Sequence, residues 1–588
     1  MLQFLKYVLA TLVGLCLFFF LGFVIMLSII AAASADKKET ISDNSILELK
    51  LDRPIVERES NDPFAEFGFS FGNLRSSIGL TELKEAIRKA KADDNIKGIY
   101  LNVDLLDAGM ATVEEIRNEL IEFKKSGKWV VTYSEICNEK SYYLASISDK
   151  LYLNPGGALE LNGQSSEILF FKGTLEKLDI KPYIFKVGEF KSAVEPFVLD
   201  KMSEANREQT KSFLTSINGY MLQNIAKARG KTVEELRTIS DSMLVHNAED
   251  ALKYGLVTDL GYYDEAVAFM RGKTNITDKD DLNLVKLKTY KKVESNIKKG
   301  SSKNKIAVVY GSGNIVNGKG GADNIGGESM SEAIREARED ENVKAVVLRI
   351  NSPGGSALAS DVIWREVMLT RKVKPVIASM SDVAASGGYY IAMACDTIVA
   401  HPNTITGSIG VFGILGNIEH FLNNKLGITV DRVKTGYFSD VPTITREMTP
   451  FEKQVIQKQV ERIYDEFTKK AAEGRDMTQE QLKQYASGRV WSGIEAKERG
   501  LVDVHGGLEE AIAIAAARAG LKQDQYRVKE LPKQKSFLES ILTDWSEEKE
   551  RSAIQKELNA FYPQLRLLQE LKEMEGVQAR MPYDLIIR

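Results

Sequence analysis

The stretch EAIRKAKADDNIKGIYL, Glu85 to Leu101, returns almost unchanged as EAIREAREDENVKAVVL, Glu332 to Leu348, at an offset of 247 residues. The offset persists outward from it. Tyr142-Tyr143 matches Tyr389-Tyr390, Asp149 matches Asp396, Pro155 matches Pro402 and Gly163 matches Gly410. After small insertions, Lys186-Val187-Gly188 corresponds to Lys434-Thr435-Gly436, and Gly255-Leu256-Val257 to Gly500-Leu501-Val502. The chain is therefore an internal duplication, and every later motif has to be read in two copies. Each copy alternates β-rich apolar runs with helical patterns: KAVVLRI, a helix from about Leu358, KPVIASM, a helix from about Gly387, then DTIVAH. Alternation of this kind predicts an α/β fold with parallel sheets, whose strands, covered on both faces, read as continuous Val/Ile/Leu runs. The predicted domains are a first repeat over 45–290, a polar Lys-rich linker over 291–302 and a second repeat over 303–525. A tail over 526–588 follows, with a charged helical stretch from about Ser536 to Glu575.

Length and composition agree with several domains. The chain has 588 residues, 44% apolar and 27% charged, in the range of ordinary globular protein and away from disordered or multi-spanning membrane chains. Its 78 Lys+Arg against 82 Asp+Glu provide no global basic field, so no nucleic-acid partner is expected. Three cysteines, Cys16, Cys137 and Cys395, are too few and too scattered for a disulfide framework or a zinc site. Ahead of the first repeat, and behind a short segment 1–6, residues 7–35 carry no charge. As a helix they would span about 43 Å against a hydrocarbon core of about 30 Å. A single transmembrane anchor is expected there. Ala33-Ser34-Ala35 resembles a signal cleavage site, but the apolar run is about twice the usual signal length. Lys6 on one side and Lys37 and Lys38 on the other leave orientation undecided.

Candidate chemistry gathers in the second repeat. Asn351-Ser352-Pro353-Gly354-Gly355-Ser356 follows the strand KAVVLRI, and glycines at a strand end let backbone N–H groups approach a ligand as an oxyanion hole requires. The same residues also make a plain turn. One strand later, DVAASGGYY places Ser386 at the start of a helix, where it is either an N-cap or a nucleophile beside amide donors. A nucleophile needs a base. Of the four histidines, His401 after DTIVA is the best placed, although an exposed strand end explains it as well. Lys191 in VGEFKSAVEPF has apolar neighbours and could serve as a neutral amine, or be a solvated surface lysine. The duplication separates these readings. The position matching Ser386 in the first repeat is Glu139, and the position matching Lys191 in the second is Ser439. Each copy lacks what the other has, so a site using both groups requires both domains. A cofactor is not expected: Gly311-Ser312-Gly313 begins like a dinucleotide loop, but Val316 stands at the third glycine, and there is no Walker loop or HExxH.

Together KSAVEP around Lys191, NSPGGS, ASGGYY around Ser386 and TGSIG over 406–410 resemble the signal peptide peptidase A family, also called protease IV, in its long duplicated form. The resemblance implies two tandem domains of the Clp-protease/crotonase type and a Ser/Lys-dyad serine protease that needs no metal or cofactor. It implies Ser386 as nucleophile, Lys191 as general base and Ser408 as the hydroxyl that orients the lysine. Oxyanion donors would be the N–H groups of Gly355 and Gly387. It further implies a homotetrameric bowl, membrane-associated peptides such as remnant signal peptides as substrates, and a soluble body on the periplasmic side of the inner membrane. Two other classes fit parts of the pattern: a crotonase-like acyl-CoA enzyme, in which Ser386 and Lys191 are incidental, and a non-catalytic membrane scaffold.

Overall fold

The structure, a computed structural model, describes residues 2–33, 39–59, 77–276, 282–294, 302–321, 323–533 and 577–581. In the quoted stretch, the helix Leu80–Ala92 buries Leu83, Ala86, Ile87 and Ala90, a stripe at helical spacing. Its second copy, Gly327–Glu339, buries Met330, Ala333, Ile334 and Ala337. Each runs into a central strand, Ile96–Asn102 and Val343–Ser352. Complete burial of an isoleucine such as Ile87 or Ile334 is worth about 1.5–3 kcal/mol, so these stripes pin helix to sheet.

The first repeat forms a six-stranded sheet in the order Asp259–Leu260, Lys150–Leu159, Trp129–Cys137, Ile96–Asn102, Ser45–Lys50, Leu284–Lys286, parallel throughout. The second sheet repeats this core with Val376–Ala385, Val343–Ser352, Lys305–Ser312 and Arg527–Leu531 as neighbours. Arg527–Leu531 thus belongs to the second sheet, although it lies beyond the boundary expected at 525. It takes the edge place that Leu284–Lys286 holds in the first sheet, where sequence similarity between the copies has faded. The predicted helix over 536–575 lies outside the described residues.

Matching positions make matching bonds, which ties the sequence offset to the physics of the fold. The hydroxyl of Tyr142 donates to the Leu256 carbonyl at 2.9 Å and that of Tyr389 to the Leu501 carbonyl at 3.0 Å. Asp149 accepts from the Val130 N–H at 2.8 Å, as Asp396 does from Val376 at 2.9 Å. Lys128 donates to the carbonyls of Ala90 and Asp93, and Lys374 to those of Ala337 and Asp340. Buried hydroxyls such as those of Tyr142 and Tyr389 must find partners, and the same pairings stand in both copies. Cys137 and Cys395 are buried free thiols.

A third sheet joins the halves. Its order is Asn324–Gly326, Asn314–Val316, Gly354–Ser356, Val577–Arg580, Val411–Asn417, Lys181–Val187. Lys181–Val187 comes from the first repeat and pairs antiparallel with Val411–Asn417 of the second, from Val187 opposite Val411 to Lys181 opposite Asn417.

A buried charge cluster reinforces the junction. Arg349 lies 2.8 Å from Glu57 and 2.8 Å from Glu115, and its guanidinium also donates to Ser379 and Ser381. Lys84 bridges Glu115 and Glu509. Nε2 of His401 sits 3.2 Å from Glu115. His401 is therefore 3% exposed, contrary to the exposed strand end expected for it, and it is held by a first-repeat carboxylate. The Arg349 and Lys84 cations converge on Glu115 and hold its carboxyl well below the usual range despite burial. Glu115→Leu strands those charges and is expected to cost about 3–5 kcal/mol, read as a lower midpoint in urea unfolding. An unchanged midpoint would show that the cluster adds nothing to stability.

Near the amino terminus, Leu2–Ala33 is one 32-residue helix. Among the described residues, however, no helix is long and apolar enough to cross a membrane. The structure therefore does not support the transmembrane helix expected over 7–35.

Candidate active site

The inter-repeat strand pair carries Lys191 to Ser386. Beyond Val187 the chain turns at Gly188, Phe190 N–H donates to the Ser487 carbonyl at 3.0 Å, and Lys191 enters the second repeat. Two glycines make room for it. A Cβ at Gly488 would come within 2.7 Å of the Lys191 backbone, and one at Gly410 within 3.2 Å of its Cδ. Gln209 clamps the turn: its amide donates to the Phe190 carbonyl at 3.1 Å and to Ser192 Oγ at 2.9 Å, while its oxygen accepts from Val490 N–H at 3.1 Å.

Lys191 is fully buried, so the solvated-surface reading of this lysine is overturned. Its Nζ lies 2.8 Å from Ser386 Oγ, 3.0 Å from Ser408 Oγ and 3.2 Å from the Ser408 carbonyl. Burial pushes its pKa well below the ordinary lysine value, and no facing carboxylate opposes that shift. A neutral amine has two N–H donors and one lone pair, which matches these three contacts. The Ser408 hydroxyl donates to the Gly488 carbonyl at 3.2 Å, leaving its oxygen free to accept from the amine. The two N–H groups then point at Ser408 and the lone pair at the Ser386 hydroxyl. Ser386 also has a longer acceptor, the Gly410 carbonyl at 3.4 Å.

Ser386 stands at the N-cap position of the helix Gly387–Ala392, but its side chain caps nothing and is left to face Lys191. Its backbone has φ 54° and ψ −110°, a conformation that costs a non-glycine residue about 1–3 kcal/mol and is found mainly where function holds it. Ser386 N–H is anchored to the Gly407 carbonyl at 2.8 Å. Three residues upstream of Ala385, Asp382 accepts from Thr112 N–H at 2.9 Å and Thr112 Oγ1 at 2.6 Å, so the first repeat also braces the strand that ends at the serine. In the Gly-rich loop, Gly354 N–H is spent on Ser352 Oγ at 3.1 Å. Gly355 is the next donor along the chain, and Gly387 N–H lies against Gly354.

The vacated positions took other roles. Glu139, matching Ser386, is buried and accepts from the N–H groups of Asn162 and Gly163 at 2.6 and 2.5 Å. Ser439, matching Lys191, lies in an exposed turn bonded to the Gly436 carbonyl. Gln209 and Thr112 left no motif in the sequence. Gly488 did leave a signal, the Ser-Gly turn dipeptide 487–488.

Peptidase family S49 matches residues 122–277 and 368–522, one stretch in each repeat. The chain is 36% identical to "Serine protease SPPA, chloroplastic" of Arabidopsis thaliana over 86% of its own length and 75% of that protein. It is 34% identical to "Protease 4" of Haemophilus influenzae, over 86% of this chain and 84% of the relative. Among solved structures, a ClpP1 point mutant from Listeria monocytogenes matches 35% of this chain and 94% of its own, with 18% identity and a TM-score of 0.24. With both repeats matched and relatives similar over most of their length, the chain is a serine peptidase and belongs to peptidase family S49.

Proposed function

We propose that this peptidase cleaves membrane-associated peptides, remnant signal peptides among them, by a Ser386/Lys191 dyad. The observation that carries the mechanism is the 2.8 Å approach of a fully buried, charge-unopposed Lys191 Nζ to Ser386 Oγ. Neutral Lys191 takes the Ser386 proton as Oγ adds to the scissile carbonyl. Ser408, accepting from the amine, keeps the lone pair on the serine. Gly387 and Gly355 N–H groups receive the developing oxyanion, an interaction worth about 2.7–4 kcal/mol per donor in such sites. Lys191 then returns its proton to the leaving amine, and later deprotonates the water that hydrolyses the acyl-enzyme.

A membrane anchor over 7–35 is proposed on the absence of charge in that run, with the two repeats on the extracytoplasmic side. Assembly into a homotetramer is proposed from the second repeat's counterpart of Lys181–Val187. There Ile428, Val430, Val433, Tyr437 and Phe438 are exposed, and Val433 wholly so. A neighbouring copy would cover them, as Val411–Asn417 covers Lys181–Val187 within the chain. The dyad test is labelling with a fluorophosphonate, which reports an activated serine. Wild type is expected to label on Ser386, and Ser386→Ala and Lys191→Ala not at all. Labelling retained by either variant overturns the assignment.

A further inference from the structure

Lys191 is held by more than the strand that carries it. Segment 487–490 is the wall opposite the lysine turn, and its carbonyls serve both sides of the amine. That of Ser487 accepts from Phe190 N–H at 3.0 Å, that of Gly488 from Ser408 Oγ at 3.2 Å and that of Arg489 from Ser408 N–H at 2.6 Å. The side chain of Gln209 ties this wall to the turn. Its Nε2 donates to the Phe190 carbonyl at 3.1 Å and to Ser192 Oγ at 2.9 Å, on either side of Lys191, and its Oε1 accepts from Val490 N–H at 3.1 Å. On the same helix, Glu204–Arg229, Asn206 Oδ1 accepts from that amide at 3.1 Å while its Nδ2 donates to Glu195 Oε2 at 3.0 Å. Glu195 in turn accepts from Ser203 N–H at 3.1 Å and Ser203 Oγ at 2.5 Å. Gln209, Asn206 and Ser192 are fully buried, so the network is made away from water, where each lost bond leaves an unsatisfied group.

The duplication singles out the same residue. Helix Glu204–Arg229 follows the N-cap Ser203 and its second copy, Pro450–Gly474, follows the N-cap Thr449, an offset of 246 residues that also relates the next N-caps, Thr232 and Thr478. At that offset the copy without the lysine has Val455 in place of Gln209, and Val455 is 48% exposed. A buried amide thus accompanies the lysine in one repeat and is absent with it from the other. Burying an amide is costly unless bonds compensate it, and here those bonds all go to the two walls of the lysine site and to Asn206.

We infer that Gln209 is a positioning residue for catalysis: its amide locks the turn 190–192 onto segment 487–490, holding the Lys191 amine aimed at Ser386 and closed off from water. The inference rests on the proposed dyad. An apolar side chain of similar length at 209 would take that partner from the Phe190 carbonyl and from Val490 N–H, and water would enter to satisfy them. The same water would reach the amine, whose pKa is lowered by burial alone. No charged side chain faces that amine: Glu195 is bound to Ser203 and Asn206, Arg489 pairs with Glu208 at 2.9 Å, and Glu189 is exposed. Without the clamp, Lys191 regains its proton at neutral pH and Nζ leaves its line to Ser386 Oγ. Both losses fall on kcat and neither on substrate binding.

The test is the pH profile of fluorogenic-peptide turnover by the full-length protein in detergent, with thermal unfolding to show that each variant is folded. Gln209→Met, close in length and volume, is expected to lose about 10²-fold in kcat at neutral pH with KM unchanged. Its pH limb should move upward, toward the ordinary lysine value near 10.4, so that part of the loss returns in alkali. Gln209→Asn keeps the amide but is one methylene too short to bridge both walls. It should move the limb in the same direction, and it decides the matter should the apolar variant not fold. Phe213→Leu, buried one turn further along the same helix, should lower the unfolding midpoint and leave the limb in place. A loss in kcat with no movement of the limb, or a rise in KM alone, overturns the positioning role while the dyad stands. Near-wild-type profiles for both Gln209 variants do the same. Turnover or fluorophosphonate labelling retained by Lys191→Ala would instead remove the dyad on which the inference rests.

Discussion

Ser386→Ala and Lys191→Ala should each lower kcat for peptide hydrolysis by about 10⁴- to 10⁶-fold, with the double variant no worse than either single one. Nucleophile and base act as one unit, so removing either disables the other. Lys191 Nζ and Ser386 Oγ, 195 residues apart in sequence, are partners within a single chain. Mixing full-length Ser386→Ala with full-length Lys191→Ala should therefore restore nothing. The measurement is steady-state turnover of a fluorogenic peptide, with circular dichroism to show that the variants are folded. Recovery of activity on mixing would assign the dyad to neighbouring chains. Near-wild-type turnover by either single variant would remove it altogether.

The second large effect is on pH dependence. A lysine that acts as base works only when neutral, and burial lowers the pKa of Lys191 well below the ordinary value. Activity should fall about tenfold per pH unit below that lowered value and level off above it. Lys191→Arg should be inactive across the range, because guanidinium does not deprotonate. The same shift has a stability consequence. Between the native-state pKa and the unfolded value near 10.4, the unfolded chain holds a proton that the native chain does not. Stability contributed at this site therefore rises with pH across that window and falls as pH drops toward the native-state value. Lys191→Met, which has no proton to exchange, should flatten this slope and raise the midpoint of thermal unfolding at neutral pH. An active Lys191→Arg enzyme would place the base elsewhere.

The two repeats were legible in the sequence because duplication left its mark on two things that sequence carries directly: the apolar periodicity of helix and strand, and paired polar residues such as Tyr142 and Tyr389 whose bonds both copies kept. Ser386 and Lys191 stood out for the converse reason, since each is missing from the opposite copy. What no local pattern specified was that these residues meet. Their contact depends on Lys181–Val187 crossing to the strand Val411–Asn417, a pairing made by backbone groups that every residue possesses. The burial of His401 was likewise hidden, because it comes from Glu115 in the other repeat. The place of Val577–Arg580 was hidden too: its alternation of Val, Gln, Ala and Arg says little alone, and its partners, Gly354–Ser356 and Val411–Asn417, are distant in the chain. Sequence by itself determined the units and the chemical groups, through local periodicity and side-chain identity. Only the tertiary structure decided which backbone edges pair, and hence which lysine is dehydrated beside which serine, because main-chain hydrogen bonding carries no residue code and desolvation is a property of the whole packed surround.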